Sequence, residues 1–176
     1  MVPAREQPGP KSVGNGLTFP RNLVGWAELH AGVTELADEV AVRLRGHGLK
    51  CTTLQVTIRD PNFKDICRQK RLSAPTYVAR ELTETAMELI RAAWRENAPV
   101  RALTLTAQAL VEEGEAGEQL DLFAAGAAPR RDKLEKLEKA MDGIRGKFGR
   151  DAIAPASTVH RDRAEVKAEQ RLPPVD

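Results

Sequence analysis

The sequence predicts an α+β fold of the ferredoxin-like kind, in which a four-stranded antiparallel sheet carries two helices on one face. Two long segments have apolar residues at helical spacing, and four others favour strands because they alternate or are rich in β-branched residues. The order of these segments is β-α-β-β-α-β, which allows both helices to cover the same face of the sheet. The other face would carry threonine, glutamine and basic side chains, and it would need water or a polar partner.

The first three elements lie between residues 12 and 59. Ser12–Phe19 favours a short strand, and we expect Pro20 to end it because proline has no N–H to offer to a ladder. Trp26–Arg45 has apolar residues at helical spacing and is followed by glycines, which are typical of a helix end. Lys50–Arg59 alternates between apolar and polar residues, which predicts a strand with one buried face.

The last three elements follow a turn that we expect at residues 60–62. Phe63–Leu72 is predicted to be the second strand of this hairpin, and it is unusually basic. We expect Ala74-Pro75-Thr76 to open the second helix, because the apolar residues that follow it recur at helical spacing. Val100–Ala107 alternates again and predicts the fourth strand.

Composition divides the chain into three parts, and the last of them contains three predicted segments. Prolines dominate the start, the middle holds the predicted sheet and helices, and the remainder is charged, alanine-rich and interrupted by glycine and proline. Within this remainder, apolar residues at spacings of three and four predict one amphipathic helix. The predicted parts are a linker at 1–10, a folded domain at 11–111, a flexible linker at 112–130, the amphipathic helix at 131–149 and a disordered tail at 150–176.

Composition and charge exclude several classes of protein. The chain has 27 Lys and Arg against 25 Asp and Glu, and a net charge of +2 excludes a histone-like polycation. No stretch approaches 18 consecutive apolar residues and the start has no apolar signal-peptide region, so we expect a cytoplasmic protein without a membrane partner. Cys51 and Cys67 are expected to be free thiols, because two cysteines cannot by themselves complete a four-ligand zinc site.

No catalytic centre is recognisable in the sequence. The carboxylates of the two predicted helices lie away from the apolar stripes, as solvated side chains do, and the three histidines have no Cys, Ser or His partner at a recognisable spacing. Gly14 and Gly16 lead into a strand rather than a helix, which argues against a phosphate-binding loop. The sequence therefore favours a binding function, with neither a metal nor another cofactor held by this chain.

Basic residues concentrate on the predicted hairpin. The predicted second strand of the hairpin holds Lys64, Arg68, Lys70 and Arg71 within eight residues, and the neighbouring strand holds Arg59 and Lys50. Arg68 and Lys70 share parity, so they project from one face and lie about 7 Å apart along the strand. This spacing is close to that of phosphates along one nucleic-acid strand. Lysine and arginine are also ordinary on solvated edge strands, and composition alone does not decide between these two interpretations.

A short apolar motif interrupts the acidic linker. It consists of Gln119, Leu120, Asp121, Leu122 and Phe123, and no helical or strand periodicity surrounds it. Such a motif is typical of a segment that docks into a partner's pocket. The alternative is an additional edge strand or a flap over the domain, and we favour the docking motif.

Several segments, taken together and in order, resemble one protein family. The segments are Lys11–Asn15, Thr18–Leu23, Arg43–Lys50, Ile66–Leu72, Val100–Leu103, Gln119–Phe123, Asp142–Arg145 and Lys147–Gly149. They are similar to the C-terminal little-finger domain and clamp-binding tail of bacterial Y-family translesion DNA polymerases of the polymerase IV type. The little finger of that family has the β-α-β-β-α-β fold that the periodicities predict independently.

The resemblance implies two partners. The open sheet face and the basic strand would grip primer-template duplex DNA, mainly through its backbone, and the pentapeptide Gln119–Phe123 would dock into the hydrophobic pocket of the bacterial sliding clamp. The residues that it places at the DNA are Lys11, Ser12, Arg59, Lys64, Arg68, Lys70, Thr104 and Thr106.

The resemblance also has a large gap. The family's palm, fingers and thumb have no counterpart in these 176 residues, and the palm holds the magnesium-binding carboxylates. We therefore expect the chain to be inactive alone, and the missing catalytic part is a candidate partner. Three functions remain open: the non-catalytic DNA-holding and clamp-docking part of a translesion polymerase in DNA repair, a stand-alone regulatory protein that binds DNA or the clamp, and an unrelated ferredoxin-like interaction domain.

Overall fold

The computed structural model describes residues 10–114 and 128–153, and it confirms the predicted fold class. Four antiparallel strands form one sheet in the order β1-β4-β2-β3, and two helices pack on one face of it. The elements are β1 (Ser12–Leu23), α1 (Trp26–Gly46), β2 (Leu49–Arg59), β3 (Asp65–Thr76), α2 (Ala79–Ala93), β4 (Val100–Glu112) and α3 (Ala128–Phe148), followed by a 3-10 turn at Arg150–Ala152.

The hydrophobic core lies between the sheet and helices α1 and α2. Alternation along β2 places Leu54, Val56 and Ile58 on the inner face, where all three are buried. The inner face of β4 contributes the buried Leu103 and Leu105 in the same way. Each helix packs one apolar stripe against the inner face of the sheet. None of the described elements covers the opposite face.

The expectation that Pro20 ends the first strand is wrong, because β1 continues to Leu23. This strand is at an edge of the sheet, and its register against β4 shifts between Thr18 and Leu23. A proline in the irregular part of an edge strand deprives no ladder of a hydrogen bond, so it is tolerated there.

The expectation that Ala74-Pro75-Thr76 opens the second helix is also wrong. These residues complete β3, the other edge strand, whose register against β2 shifts between the Cys51–Thr76 and Thr53–Arg71 pairs. The hydroxyl of Thr76 accepts a hydrogen bond from the Val78 amide at 3.0 Å, and α2 begins at the next residue, Ala79. The helix start is therefore set by a side-chain turn after the strand, not by the proline.

Helix α3 is held against the domain by ion pairs. Its charged side chains reach residues of α1, α2 and β2 in the following pairs: Asp142 with Arg45 (2.6 Å), Glu135 with Lys50 (2.7 Å), Arg131 with Glu81 (2.9 Å) and Arg145 with Asp38 (3.0 Å). Leu134 adds an apolar contact with the core. The apolar residues that predicted this helix therefore do not all pack against the domain, because Leu137 and Phe148 remain exposed.

Candidate nucleic-acid interface

The uncovered face of the sheet, which we call the open face, is built from alternate residues of all four strands. Paired residues of antiparallel strands lie on the same face, so the register identifies its members. Four rows run across it: Ser12, Gln108, Thr53 and Arg71; Gly14, Thr106, Gln55 and Gln69; Gly16, Thr104, Thr57 and Cys67; and Thr18, Ala102, Arg59 and Asp65. None of these residues is buried, and none has a large apolar side chain.

Two glycines bring the backbone of β1 to the surface of the open face. A Cβ atom added to Gly14 would lie 3.0 Å from the Thr106 hydroxyl oxygen, and one added to Gly16 would lie 2.9 Å from that of Thr104. Either contact is too close for an unchanged neighbour. The threonine side chains therefore lean into the space that the glycines leave, and this half of the face is flat and lined by hydroxyl groups and peptide backbone.

The centre of the open face is polar and carries little net charge. The side-chain amide of Gln108 donates a hydrogen bond to Gln55 at 2.8 Å. At one end of the sheet, Arg59 donates two hydrogen bonds to Asp65, at 2.7 and 2.8 Å. These bonds lower the pKa of the Asp65 carboxyl, so both groups are charged and offset each other. Arg71, at the opposite end, is exposed and supplies positive charge to this face.

The structure separates the residues that the sequence predicted to contact DNA. Ser12, Thr104, Thr106 and Arg59 lie on the open face, and Lys11 and Lys64 are exposed next to the ends of strands β1 and β3. Arg68 and Lys70 do share one face, but they pair with the buried Val56 and Leu54. Their face is therefore the helix side of the edge strand, which corrects the expectation that the basic side chains of this strand line the open face.

The surroundings of Arg68 and Lys70 differ. Lys70 forms an ion pair with Glu88 of α2 at 2.5 Å, and both side chains are more than half exposed. Arg68 hydrogen-bonds the carbonyl oxygen of its neighbour Cys67 at 2.8 Å. Both remain at the outer edge of the sheet, where a long side chain can reach a partner that extends beyond β3. Their contact with DNA stays a prediction.

The predicted DNA contacts leave out several residues of the open face. Alternation along β2 had placed Gln55 on this face, and Arg71 belonged to the predicted basic cluster, but neither was named as a contact. Gln69, Gln108 and the two surface glycines also belong to the open face, and the parity of β4 would have indicated Gln108. The predicted clamp-binding residues Gln119, Leu120, Asp121, Leu122 and Phe123 lie outside the described residues.

Comparison with known families shows which family the chain belongs to. A model described as the impB/mucB/samB family C-terminal domain matches residues 10–122, which is more than half of the sequence. The chain belongs to this family. The match includes all four strands and both core helices, so the open face is a face of the impB/mucB/samB C-terminal domain. The expected kinship with the C-terminal part of Y-family polymerases is thereby confirmed.

Curated proteins similar to this impB/mucB/samB domain carry the name DNA polymerase IV. The one from Acetivibrio thermocellus is 35% identical over 79% of the chain, and the one from Oceanobacillus iheyensis is 36% identical over 81%. The one from Bacillus velezensis is 32% identical over 89%. The matched region covers 34%, 33% and 37% of these relatives, so the chain spans about a third of their length.

Two further properties of the described residues bear on function. No group of three or more His, Cys, Asp or Glu in residues 10–114 and 128–153 is arranged to hold a metal ion. Within the same ranges, no helix is both long enough and apolar enough to cross a membrane.

Proposed function

We propose that this chain is a DNA-holding part of a translesion DNA polymerase and that it lays the open face of its sheet against the backbone of primer-template duplex DNA. The observation that carries this proposal is the flat polar surface around Gly14, Gly16, Thr104 and Thr106, which offers peptide groups and hydroxyl groups without a large apolar side chain. Such groups bind phosphate and sugar oxygens irrespective of sequence, because they position a duplex rather than read its bases.

The distribution of charge supports backbone contacts of modest strength. Arg59 is offset by Asp65, whereas Arg71, Lys11 and Lys64 are exposed around the rim of the face. A few cations at the rim and a nearly neutral centre favour binding that depends on salt and tolerates any sequence. Non-specific contacts of this kind correspond to a Kd of about 10⁻⁴ to 10⁻⁶ M at physiological salt.

We infer a second contact, with the bacterial sliding clamp, through Gln119–Phe123. Its support is the sequence alone: an amide followed by large apolar residues in an acidic, glycine-containing stretch, as in the clamp-binding pentapeptide that it resembles. Leu122 and Phe123 would fill the apolar pocket, and Asp121 would face solvent. The curated relatives are named as polymerases, and we propose that polymerisation itself resides in the two thirds of those proteins that this chain does not match.

The DNA contact is tested by placing negative charge in the middle of the open face. In Thr104→Glu/Thr106→Glu, two carboxylates would face the phosphates, and affinity for a primer-template duplex in fluorescence anisotropy should fall by about tenfold or more. Thr34→Glu, on helix α1 and away from both the open face and the basic edge strand, is the control and should bind as the parent does. Equal affinity of the double variant and the control would show that DNA does not contact this face.

A further inference from the structure

The turn between β2 and β3 has an unusual residue at its tip. The Phe63 amide donates to the Asp60 carbonyl oxygen at 3.1 Å, and the Asp60 amide donates to the carbonyl oxygen of Lys64 at 3.0 Å. Phe63 itself has φ +63°, in the left-handed region. These features define a three-residue hairpin loop, that is, a type I turn followed by one left-handed residue, and glycine is the usual residue at that last position.

Neither backbone preference nor burial explains a phenylalanine at this position. A bulky side chain is disfavoured at positive φ, and Gly25 and Gly48 serve that need elsewhere in this chain. The Phe63 residue is 74% exposed, so its ring gains nothing from the core. The conformation is nevertheless firmly held, because the Asp60 carboxylate accepts hydrogen bonds from the amides of Asn62 and Lys64 at 2.8 and 2.9 Å.

The surroundings of the ring indicate the chemistry of its partner. The turn joins the end of the sheet where the Arg59–Asp65 pair closes the open face, beside a shallow recess that also includes Gly16, Thr57 and Thr104. The neighbours of Phe63 in the turn are Asp60, Asn62 and the cationic Lys64. An aromatic anchor for a protein pocket is normally surrounded by further apolar contacts. An exposed aromatic residue next to a cationic residue, in a turn at the edge of a polar face, is instead typical of single-stranded nucleic-acid sites.

We propose that Phe63 stacks on an unpaired base of the DNA where the strand passes the end of the open face. This inference rests on the proposed DNA contact and extends it from duplex backbone to a single-stranded base. A rigid turn that presents an aromatic ring loses little conformational entropy on binding, and any base offers a π-face to it. Strained residues of this kind persist where the surrounding structure fixes them, and they cluster at binding sites.

The test compares two DNA probes on the full chain. One is a primer-template with a single-stranded 5′ overhang, and the other is a blunt duplex with the same paired region. Phe63→Ala should lower affinity for the overhang probe by about fivefold or more and leave affinity for the blunt duplex and its salt dependence unchanged. Phe63→Trp should retain the overhang affinity, and Phe63→Leu, which keeps apolar bulk without a π-face, should behave as Phe63→Ala.

A folding control is available at the same position. Phe63→Gly has the residue that this turn prefers, so it should unfold at a temperature no lower than the parent, yet show the same loss of overhang affinity. Full overhang affinity in Phe63→Ala would overturn the stacking inference while leaving the duplex contact intact. Retention in Phe63→Leu would overturn it too, in favour of a simple apolar contact. Failure of the parent chain to bind either probe would overturn the proposed function and this inference with it.

Discussion

Replacing Arg45 with alanine should destabilise the protein and release helix α3, because this guanidinium is the centre of the contact between α3 and the domain. Its side chain is only 4% exposed. It donates to both carboxylate oxygens of Asp142, at 2.6 and 3.0 Å, to the carbonyl oxygen of Tyr77 at 3.0 Å, and to Glu138. Glu138 in turn accepts a hydrogen bond from the Ala79 amide at 2.8 Å, at the start of α2.

The expected loss of stability follows from the carboxyl groups that Arg45→Ala leaves without a cation. Burial raises the pKa of Glu138 to about 7, although the charge of Arg45 acts in the opposite direction. Without Arg45, the pKa of Glu138 would rise further and its carboxyl would take up a proton, while the Asp142 carboxylate would lose its cation. Removing one partner of a buried pair costs about 3–5 kcal/mol. Asp142 is 28% exposed, so we expect the lower end of this range. About 3 kcal/mol corresponds to a fall in melting temperature of about 10 °C for a domain of this size.

The assay is thermal unfolding followed by circular dichroism, together with amide hydrogen exchange over α3. Arg80→Ala is the matched control, because Arg80 forms an exposed ion pair with Glu84 at 3.1 Å, and such pairs contribute about 0.3–0.5 kcal/mol. Arg45→Ala should melt well below Arg80→Ala and lose protection in α3 first, because the helix can detach before the core unfolds. Two variants with equal melting temperatures and unchanged protection of α3 would refute the reasoning.

Three further predictions concern the two proposed contacts. A maleimide should modify Cys67, which is exposed on the open face, but not Cys51, which is buried and has its pKa raised to about 12 by that burial. Primer-template DNA should slow the reaction at Cys67, as measured by intact mass. Arg68→Ala/Lys70→Ala should reduce the slope of log affinity against log salt by about two if both residues contact phosphates, with Arg71→Ala for comparison on the open face; an unchanged slope would assign the pair to a solvated edge. Leu122→Ala/Phe123→Ala should abolish binding to a bacterial sliding clamp in surface plasmon resonance, since truncating a buried anchor costs about 2 kcal/mol or more, and undiminished binding would disprove the clamp assignment.

Periodicity predicted the elements that are half-buried, and it was less informative at the edges of the sheet. β2 and β4 are central strands, so one face of each must be apolar, and the alternation of Leu54, Val56 and Ile58 is visible in the sequence. β3 is an edge strand without a continuous apolar face. Its parity showed that Arg68 and Lys70 share a side, but only pairing with β2 determines which side it is.

Both proline errors have the same physical origin. Proline interrupts a strand only where its missing N–H is needed by a neighbour. Pro20 and Pro75 each lie on an edge strand near a shift in register, and neither the edge position nor the shift is a local property of the sequence.

The apolar spacing of α3 predicted a helix, but it did not predict which elements of the domain the helix contacts. That contact depends on charges such as Arg45 and Asp142, which are 97 residues apart in the chain.

The position of α3 makes the two proposed contacts compatible. β4 ends at Glu112, and the Glu113 carboxylate binds the Tyr77 hydroxyl and Lys139 of α3, at 2.7 and 2.6 Å. The chain therefore leaves the sheet and enters α3 on the same side, where α3 contacts α1 and α2 and not the open face. Glu113 and Arg131, the described residues with contacts on either side of residues 115–127, both lie on the helix side. DNA on the open face and a clamp at residues 119–123 would not compete. Thr104→Glu/Thr106→Glu should therefore leave clamp affinity intact, and Leu122→Ala/Phe123→Ala should leave DNA affinity intact. Coupling between these two affinities would mean that the clamp segment crosses to the open face.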